Sequence, residues 1–426
     1  MSLQPAARSQ ASAPPPALAP TQAPLWAVYA FTFLGALGTG LVTNGVYFLA
    51  KSALGYAETA NYLLALVFGV AYIAGAVTVG PALRSVARRS DRVTSRLVLA
   101  LLLILLAGVC AVPIAAERIT GAPQAWTLWL LAAVYAPLTG ALWPIVEAYL
   151  SGGRRGRELR NAVGGFNIVW AGAVAASLWL AAPLVEPQPL LVLALLGLLH
   201  VLSLALLPAL GREPGRHLSD EPHEINPIDR RLLRVFRILL PASYLVSSTL
   251  QPFLPSGLAK LGVSVTWAAP AAATWMSARL VVFAVMPRWH GWRHAPALPA
   301  IGASMLLAGF GLAVVAPSLG GTLPPPVPLT LMLAGLAAFG AGMAVIYCAA
   351  LYYAMEVGAA EVDAGGAHEA LIGVGYAAGP LAGLACLAAT APIKNHISSA
   401  VIFESLLAAG VTAATLLAVF IALRLA

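Results

Sequence analysis

Twelve apolar runs, each about as long as a bilayer is thick, divide this 426-residue chain and decide what it can become. They lie near 25–50, 59–83, 97–116, 125–150, 161–184, 188–210, 236–256, 266–287, 296–316, 329–355, 368–391 and 399–424. A membrane-spanning helix needs about 20 predominantly apolar residues, and the breaks between these runs carry Gly, Pro or clustered charge, as turns do. The chain is 60% hydrophobic and only 9% charged, whereas a soluble domain is charged at about a quarter of its positions. An ordinary soluble domain and a disordered chain are both excluded. The expectation is an all-α, polytopic membrane protein of about twelve transmembrane helices joined by short loops.

The net charge of +8 reads first as a topology signal. With the N-terminus placed inside, nineteen of the 24 basic residues fall on the cytoplasmic side: Arg8, five arginines in 84–96, four in 154–160, six in 212–237, and Arg288, Arg293 and Arg424. Lys51, Arg118, Lys260 and Lys394 fall outside, and Arg279 lies within a run. The bias predicts a multi-pass protein of the plasma or inner membrane with both termini cytoplasmic, its basic faces meeting anionic lipid rather than nucleic acid. Cys110, Cys348 and Cys386 sit in apolar stretches without metal-ligand spacing and read as small packing residues.

Residues 1–24, rich in Ala, Pro, Gln and Ser, are expected to form a disordered cytoplasmic tail. The polar stretch 211–235, GREPGRHLSDEPHEINPIDRRLLRV, separates runs six and seven and reads as a solvated cytoplasmic linker. It divides the chain into six-helix bundles at 25–210 and 236–426, a recurring plan in proteins with a midplane site between two halves. An internal echo accompanies that division. Glu147, Gly156 and Gly164 recur as Glu356, Gly365 and Gly373, each offset by 209 positions.

Two sixes of spans, both ends inside and a basic loop after the second span resemble the major facilitator superfamily of transporters. Its most diagnostic motif, G-x-x-x-D-R-x-G-R-R between helices 2 and 3, is similar to GPALRSVARRSDRVTSRL from Gly80. In one register Gly80, Arg88 and Arg89 match and Arg84 replaces the acid; in another Asp91, Arg92 and Arg96 match while Ala87 and Thr94 replace the glycines. The stretch MPRWHGWRH after the eighth span keeps a basic, Gly-containing echo. PIVEAYLSGGRRGR resembles the family's acid at the end of helix 4 followed by R-G, here Glu147 and Arg155-Gly156. In the eleventh span, GVGYAAGPLAG resembles the G-x-x-x-G-P-x-x-G signature that proton-driven exporters carry in helix 5, with Gly375, Gly379, Pro380 and Gly383 in place. The resemblance implies two six-helix bundles related by a pseudo-two-fold axis, alternating access to a central site, and a slight lean toward export.

Sparse polar residues within the runs are the candidates for chemistry. A carboxylate at Glu147, near one end of its span, reads as a latch to Arg92 or Arg155, as a static ion pair or as a proton site. Glu356 reads as its second-half counterpart, and Arg88 and Asp91 belong to the same gating group. His368 and Glu369 are expected to open the eleventh helix, where an acid is stabilised by the helix dipole and a His can exchange protons. Arg279, deep in the eighth span, either faces a wet cavity or reaches back to the interface. His200 reads as hydrogen-bonded to a neighbouring helix.

Asn44, Tyr47, Asn167, Trp170, Tyr244, Gln251, Tyr352 and Tyr353 would offer a mostly neutral, amphipathic binding surface or helix–helix contacts. The phosphate-cradling G-x-x-x-x-G-K-[ST] loop and the H-E-x-x-H spacing are both absent, so neither ATP drive nor a metal or other cofactor is expected. The expected protein is a monomeric secondary transporter of a small molecule, with protons as a coupling ion and no enzymatic activity. A polytopic enzyme acting on lipid and a non-transporting receptor or assembly factor are the alternatives.

Overall fold

A computed structural model describes residues 22–90, 92–214, 226–292, 295, 297–357, 362–393 and 396–425. The expected tail at 1–24 lies almost wholly outside the described residues, as do Asp91 and residues 215–225 of the expected linker. Helix is the only regular secondary structure among the described residues. The spans are α1 (Leu25–Leu54), α2 (Glu58–Ala87), α3 (Ser95–Thr120), α4 (Ala125–Ser151), α5 (Gly156–Val185) and α6 (Pro189–Ala209). They continue as α7 (Pro227–Lys260), α8 (Val265–Val285), α9 (Leu298–Gly321), α10 (Pro326–Val357), α11 (Val362–Thr390) and α12 (His396–Leu425).

Eleven of these are long and apolar enough to cross a membrane, which makes the chain a multi-pass membrane protein. The remaining one, α7, is the longest at 34 residues. Its inner part carries Ser243, Ser247, Ser248, Thr249 and Gln251, all buried, so protein rather than lipid surrounds its polar face. That is how an uncommonly polar span is tolerated at membrane depth.

Two boundaries differ from the sequence expectation. The helix α7 starts at Pro227, inside the stretch expected to be linker, because Asn226 caps it through a 3.0 Å bond from the Ile228 N–H and proline suits the first turn. Its exposed arginines 230, 231, 234 and 237 extend the helix beyond the apolar run without interrupting it. Likewise α11 begins at Val362, so His368 and Glu369 sit more than a turn inside it, and Asp363 is the acid of the first turn.

The helix α11 packs most extensively against α2 and next against α7, and it also touches α4. The second seam between the halves joins α5 to α8 and α10. Small residues make the α11 contacts possible. A Cβ on Gly365 would lie 2.8 Å from Glu147 Oε2, and one on Gly373 would lie 2.6 Å from Ile73 Cγ1. The positions of the exporter-like signature serve the same purpose: Gly375 and Gly379 meet the α7 main chain, and Gly383 meets the Tyr62 ring. Their carbonyls also accept bonds across the seam, Ser248 Oγ donating to Gly375 O at 2.8 Å and Thr249 Oγ1 to Gly379 O at 3.1 Å. On α1, Gly40 allows a similar approach to Val174 of α5.

Contacts between the halves close both ends of the bundle. At the arginine-rich end, Arg84 pairs with Asp363, and the Gly156 N–H donates to Glu356 Oε2 at 3.2 Å. At the other end, Lys51 Nζ donates to Pro255 O at 3.1 Å and Thr266 Oγ1 donates to Glu186 Oε2 at 3.1 Å.

Candidate functional site

Between these closures lies a central cavity with walls from both halves. Thr39 and Thr43 of α1, Tyr72 of α2, Trp143 of α4, and Phe166 and Trp170 of α5 form one side. Tyr244 of α7, Tyr347 of α10, and Glu369, Ile372 and Tyr376 of α11 form the other. A one-turn π segment at Leu41–Gly45 interrupts α1 just where Thr43 reaches the cavity. Such bulges shift the register of a helix face and recur at functional sites. The walls are mostly aromatic, with Trp170 stacked on Tyr347 at 6.0 Å between centroids and Tyr244 edge-on to Tyr376 at 5.1 Å.

The acidic wall is more than one residue deep. Tyr72 donates a hydrogen bond to Glu369 Oε2, tying α2 to α11. Behind it, ligand atoms of Glu147, His368 and Glu369 lie within 4.8 Å of one another, and all three side chains are buried. Among the described residues, both oxygens of Glu147 and the Nε2 of His368 have no hydrogen-bond partner. Two carboxyls and an imidazole this close, away from solvent, can share a proton or hold a cation. His368 also lines a smaller cavity with Arg237, Leu240 and Ala350, on the side of the arginine-rich end.

Arg279 occupies the opposite seam. Its side chain is 0% exposed. The guanidinium carbon lies 4.4 Å from the Tyr347 ring centroid, 4.7 Å from Trp170 and 5.2 Å from Phe283. Nη1 touches the Met343 sulfur at 3.8 Å, while Nε and Nη2 have no hydrogen-bond partner among the described residues. Each cation–π contact contributes about 0.5–2 kcal/mol. Taking the charge out of water costs several kcal/mol, which the rings offset without supplying a counter-charge.

The other expected site residues are distributed as follows. Trp170 and Tyr244 line the central cavity; Asn44, Tyr47, Asn167, Gln251, Tyr352 and Tyr353 are buried but lie outside its walls. Asn44 donates to Gly40 O at 3.0 Å and Gln251 to Ser247 Oγ at 2.9 Å. Tyr352 and Tyr353 pack on Trp292 instead, at 5.6 and 6.3 Å between ring centroids.

Glu147 faces the acidic cluster rather than Arg92 or Arg155. Arg88 and Arg92 are exposed at the end of α2 and in the loop after it, and Arg155 is half-buried as the residue preceding α5. Glu356 reaches across to Gly156, and Asp91 is outside the described residues. His200 meets the Tyr135 hydroxyl at 3.1 Å. Sequence reasoning passed over Tyr72, Trp143, Phe166, Tyr347 and Tyr376, whose one available signal was an aromatic side chain in mid-span.

This arrangement is a fold shared with solved membrane transporters. Nucleoside transporter NupG is similar in structure. A crystal structure of a point mutant has a TM-score of 0.63 at 12% identity, covering 94% of this chain and 99% of that one. A second NupG structure gives 0.61 at 12% identity, covering 94% and 98%. A bacterial homolog of the human lysosomal transporter Spinster, inward-facing and unoccupied, gives 0.57 at 15% identity, covering 94% and 95%. No family model matches the chain, and no curated protein matches it in sequence.

Proposed function

We propose that the protein is a secondary active transporter of a small molecule, working by alternating access in a cell membrane with both termini cytoplasmic. The observation that carries this reading is the central cavity, walled by both halves and closed at each end by contacts between them. Such contacts are the kind that one state makes and the other breaks. The likeness to solved transporters over 94% of the chain supports it.

Proton coupling resides in Glu147, Glu369 and His368. The two carboxyls share a proton while the site is empty and take up a second as the cavity changes its exposure. His368, bordering the smaller cavity, passes protons to and from the arginine-rich end.

Spin labels test the motion without a known substrate. One pair replaces exposed Arg88 and Arg288, and another replaces exposed Ile119 and Thr322, on a background lacking the three cysteines. Distances measured by double electron–electron resonance between pH 5 and 8 should show one end opening as the other closes. A single narrow distance at both ends under every condition excludes alternating access.

A further inference from the structure

Beside the central cavity lies a buried cation that no acid among the described residues balances. Arg279 lies six residues before the end of α8 at Val285, about 9 Å along the helix axis. That is near enough to snorkel, yet the side chain turns inward and is fully buried against rings from α5 and α10. Among the described residues it makes no ion pair; the buried acids Glu147 and Glu369 are gathered with His368 in the acidic cluster instead.

The two unpartnered nitrogens are informative in their identity. Nε and Nη2 form the side-on edge of a guanidinium, two parallel donors spaced to match the oxygens of one carboxylate. Two of the rings that cage the guanidinium, Trp170 and Tyr347, are also walls of the central cavity. A ligand carrying a flat apolar body would stack on those walls and bring its anionic end to the fork.

We propose that the substrate is an organic anion, a carboxylate borne on a flat, largely apolar body, and that Arg279 is its recognition residue. This rests on the transporter reading above. The occupied site is then electrically complete: the guanidinium gains the counter-charge that the fold withholds. The empty site keeps an unpaired buried charge, a cost that ligand binding removes.

The test uses the purified full chain and four probes of matched size: benzoate, benzamide, benzylammonium and uridine. Thermal unfolding should shift upward with benzoate, saturably in the millimolar range, and stay unmoved by the other three. Arg279→Met should abolish the benzoate response while leaving the ligand-free unfolding temperature equal to or above that of the parent, because it removes an orphan charge. Arg279→Lys, which keeps the charge but loses the fork, should weaken apparent benzoate affinity by at least about tenfold; it decides the matter if the methionine variant does not fold.

A comparable shift with benzamide, benzylammonium or uridine overturns the proposal. So does a benzoate response that survives in Arg279→Met, one of undiminished apparent affinity in Arg279→Lys, or no benzoate response in the parent. Those outcomes leave alternating access standing, since the spin-label distances are read without any ligand. Conversely, a benzoate response with immobile distances at both ends rejects the transporter and keeps the anion site.

Discussion

Glu356, at the end of α10, accepts a 3.2 Å hydrogen bond from the backbone N–H of Gly156, which opens α5 in the other half. The partners of this contact have counterparts 209 positions away. Glu147 corresponds to Glu356 and Gly365 to Gly156, and Glu147 Oε2 sits where a Cβ on Gly365 would come within 2.8 Å. Each half therefore sends a glutamate to a glycine of the other, at the same helical junction. The two contacts differ in depth: Glu147 is 1% exposed and faces the acidic cluster, while Glu356 is half-buried. One glutamate of the pair meets a main-chain N–H and the other faces the acidic cluster behind the central cavity.

Replacing Gly365 separates these roles. Gly365→Ala pushes a methyl against Glu147 and the Pro144 backbone, and overpacking of this sort costs about 1–3 kcal/mol. The expected result is a lowered unfolding temperature together with a changed pH dependence of the spin-label distances. Glu356→Gln keeps an acceptor for the Gly156 N–H and should lower stability by under about 1 kcal/mol, with the pH dependence preserved.

Arg84 and Asp363 form an ion pair across the halves, with side chains 53% and 39% exposed. Pairs this exposed contribute about 0–1 kcal/mol, too little to matter for folding but enough to bias two states several-fold. Arg84→Asp should therefore widen the distance distribution at the arginine-rich end by favouring its open state. Adding Asp363→Arg, which restores the pair with its charges exchanged, should return the parent distribution. Failure of the double variant to recover shows that the pair does not latch the two halves.

Glu147→Gln removes one of two facing carboxyls while keeping its shape. In proteoliposomes, where the parent should accumulate substrate in response to an imposed pH gradient, this variant should exchange substrate across the membrane but lose the dependence on the gradient. Glu369→Gln should do the same and additionally weaken the tie to Tyr72. Accumulation that is equal with and without a gradient in the parent excludes proton coupling altogether.

Gly379→Ala probes the α7–α11 seam, where the added methyl would meet Ser248 and the α7 backbone. Because the obstacle is partly main chain, relief requires a helix shift, and the expected loss is about 1–3 kcal/mol. Calorimetry in detergent measures it. Gly108→Ala on α3, where the methyl would meet nothing within 4 Å, is the control and should not destabilise.

The spans were legible because bilayer thickness imposes a length that sequence displays directly, and each of the twelve runs became one helix. Their ends were less legible. Hydropathy stops at the lipid, whereas α7 and α11 continue into water on residues such as Arg230, Arg231 and Asp363 that satisfy a helix perfectly well. Within the site, charge was the better guide. Arg279 stood out because its desolvation demands a reason, while Glu147, His368 and Glu369 were named as gating or coupling candidates at helix ends, and the structure places these three together in a buried cluster. The aromatic walls were illegible, since Tyr347 and Tyr352 look alike in sequence and only helix rotation sends one to the cavity and the other to Trp292. The Arg84–Asp363 pair was hidden for a different reason: it joins residues 279 positions apart, with an arginine where the family motif has an acid.

The glycines along α11 determine how freely the halves can turn. Where helices interlock by long side chains, sliding one past the other means withdrawing knobs from holes. Here much of the α2–α11 contact is smooth backbone, with Gly69 against the Tyr376 main chain and Gly366 against the Ala76 carbonyl, so the seam resembles a bearing more than a gear. The few charged and capping contacts at its two ends would then act as detents that choose the resting angle. Variation along this helix should be limited by volume rather than by chemistry, and a single added methyl should be felt more than the loss of any one polar group.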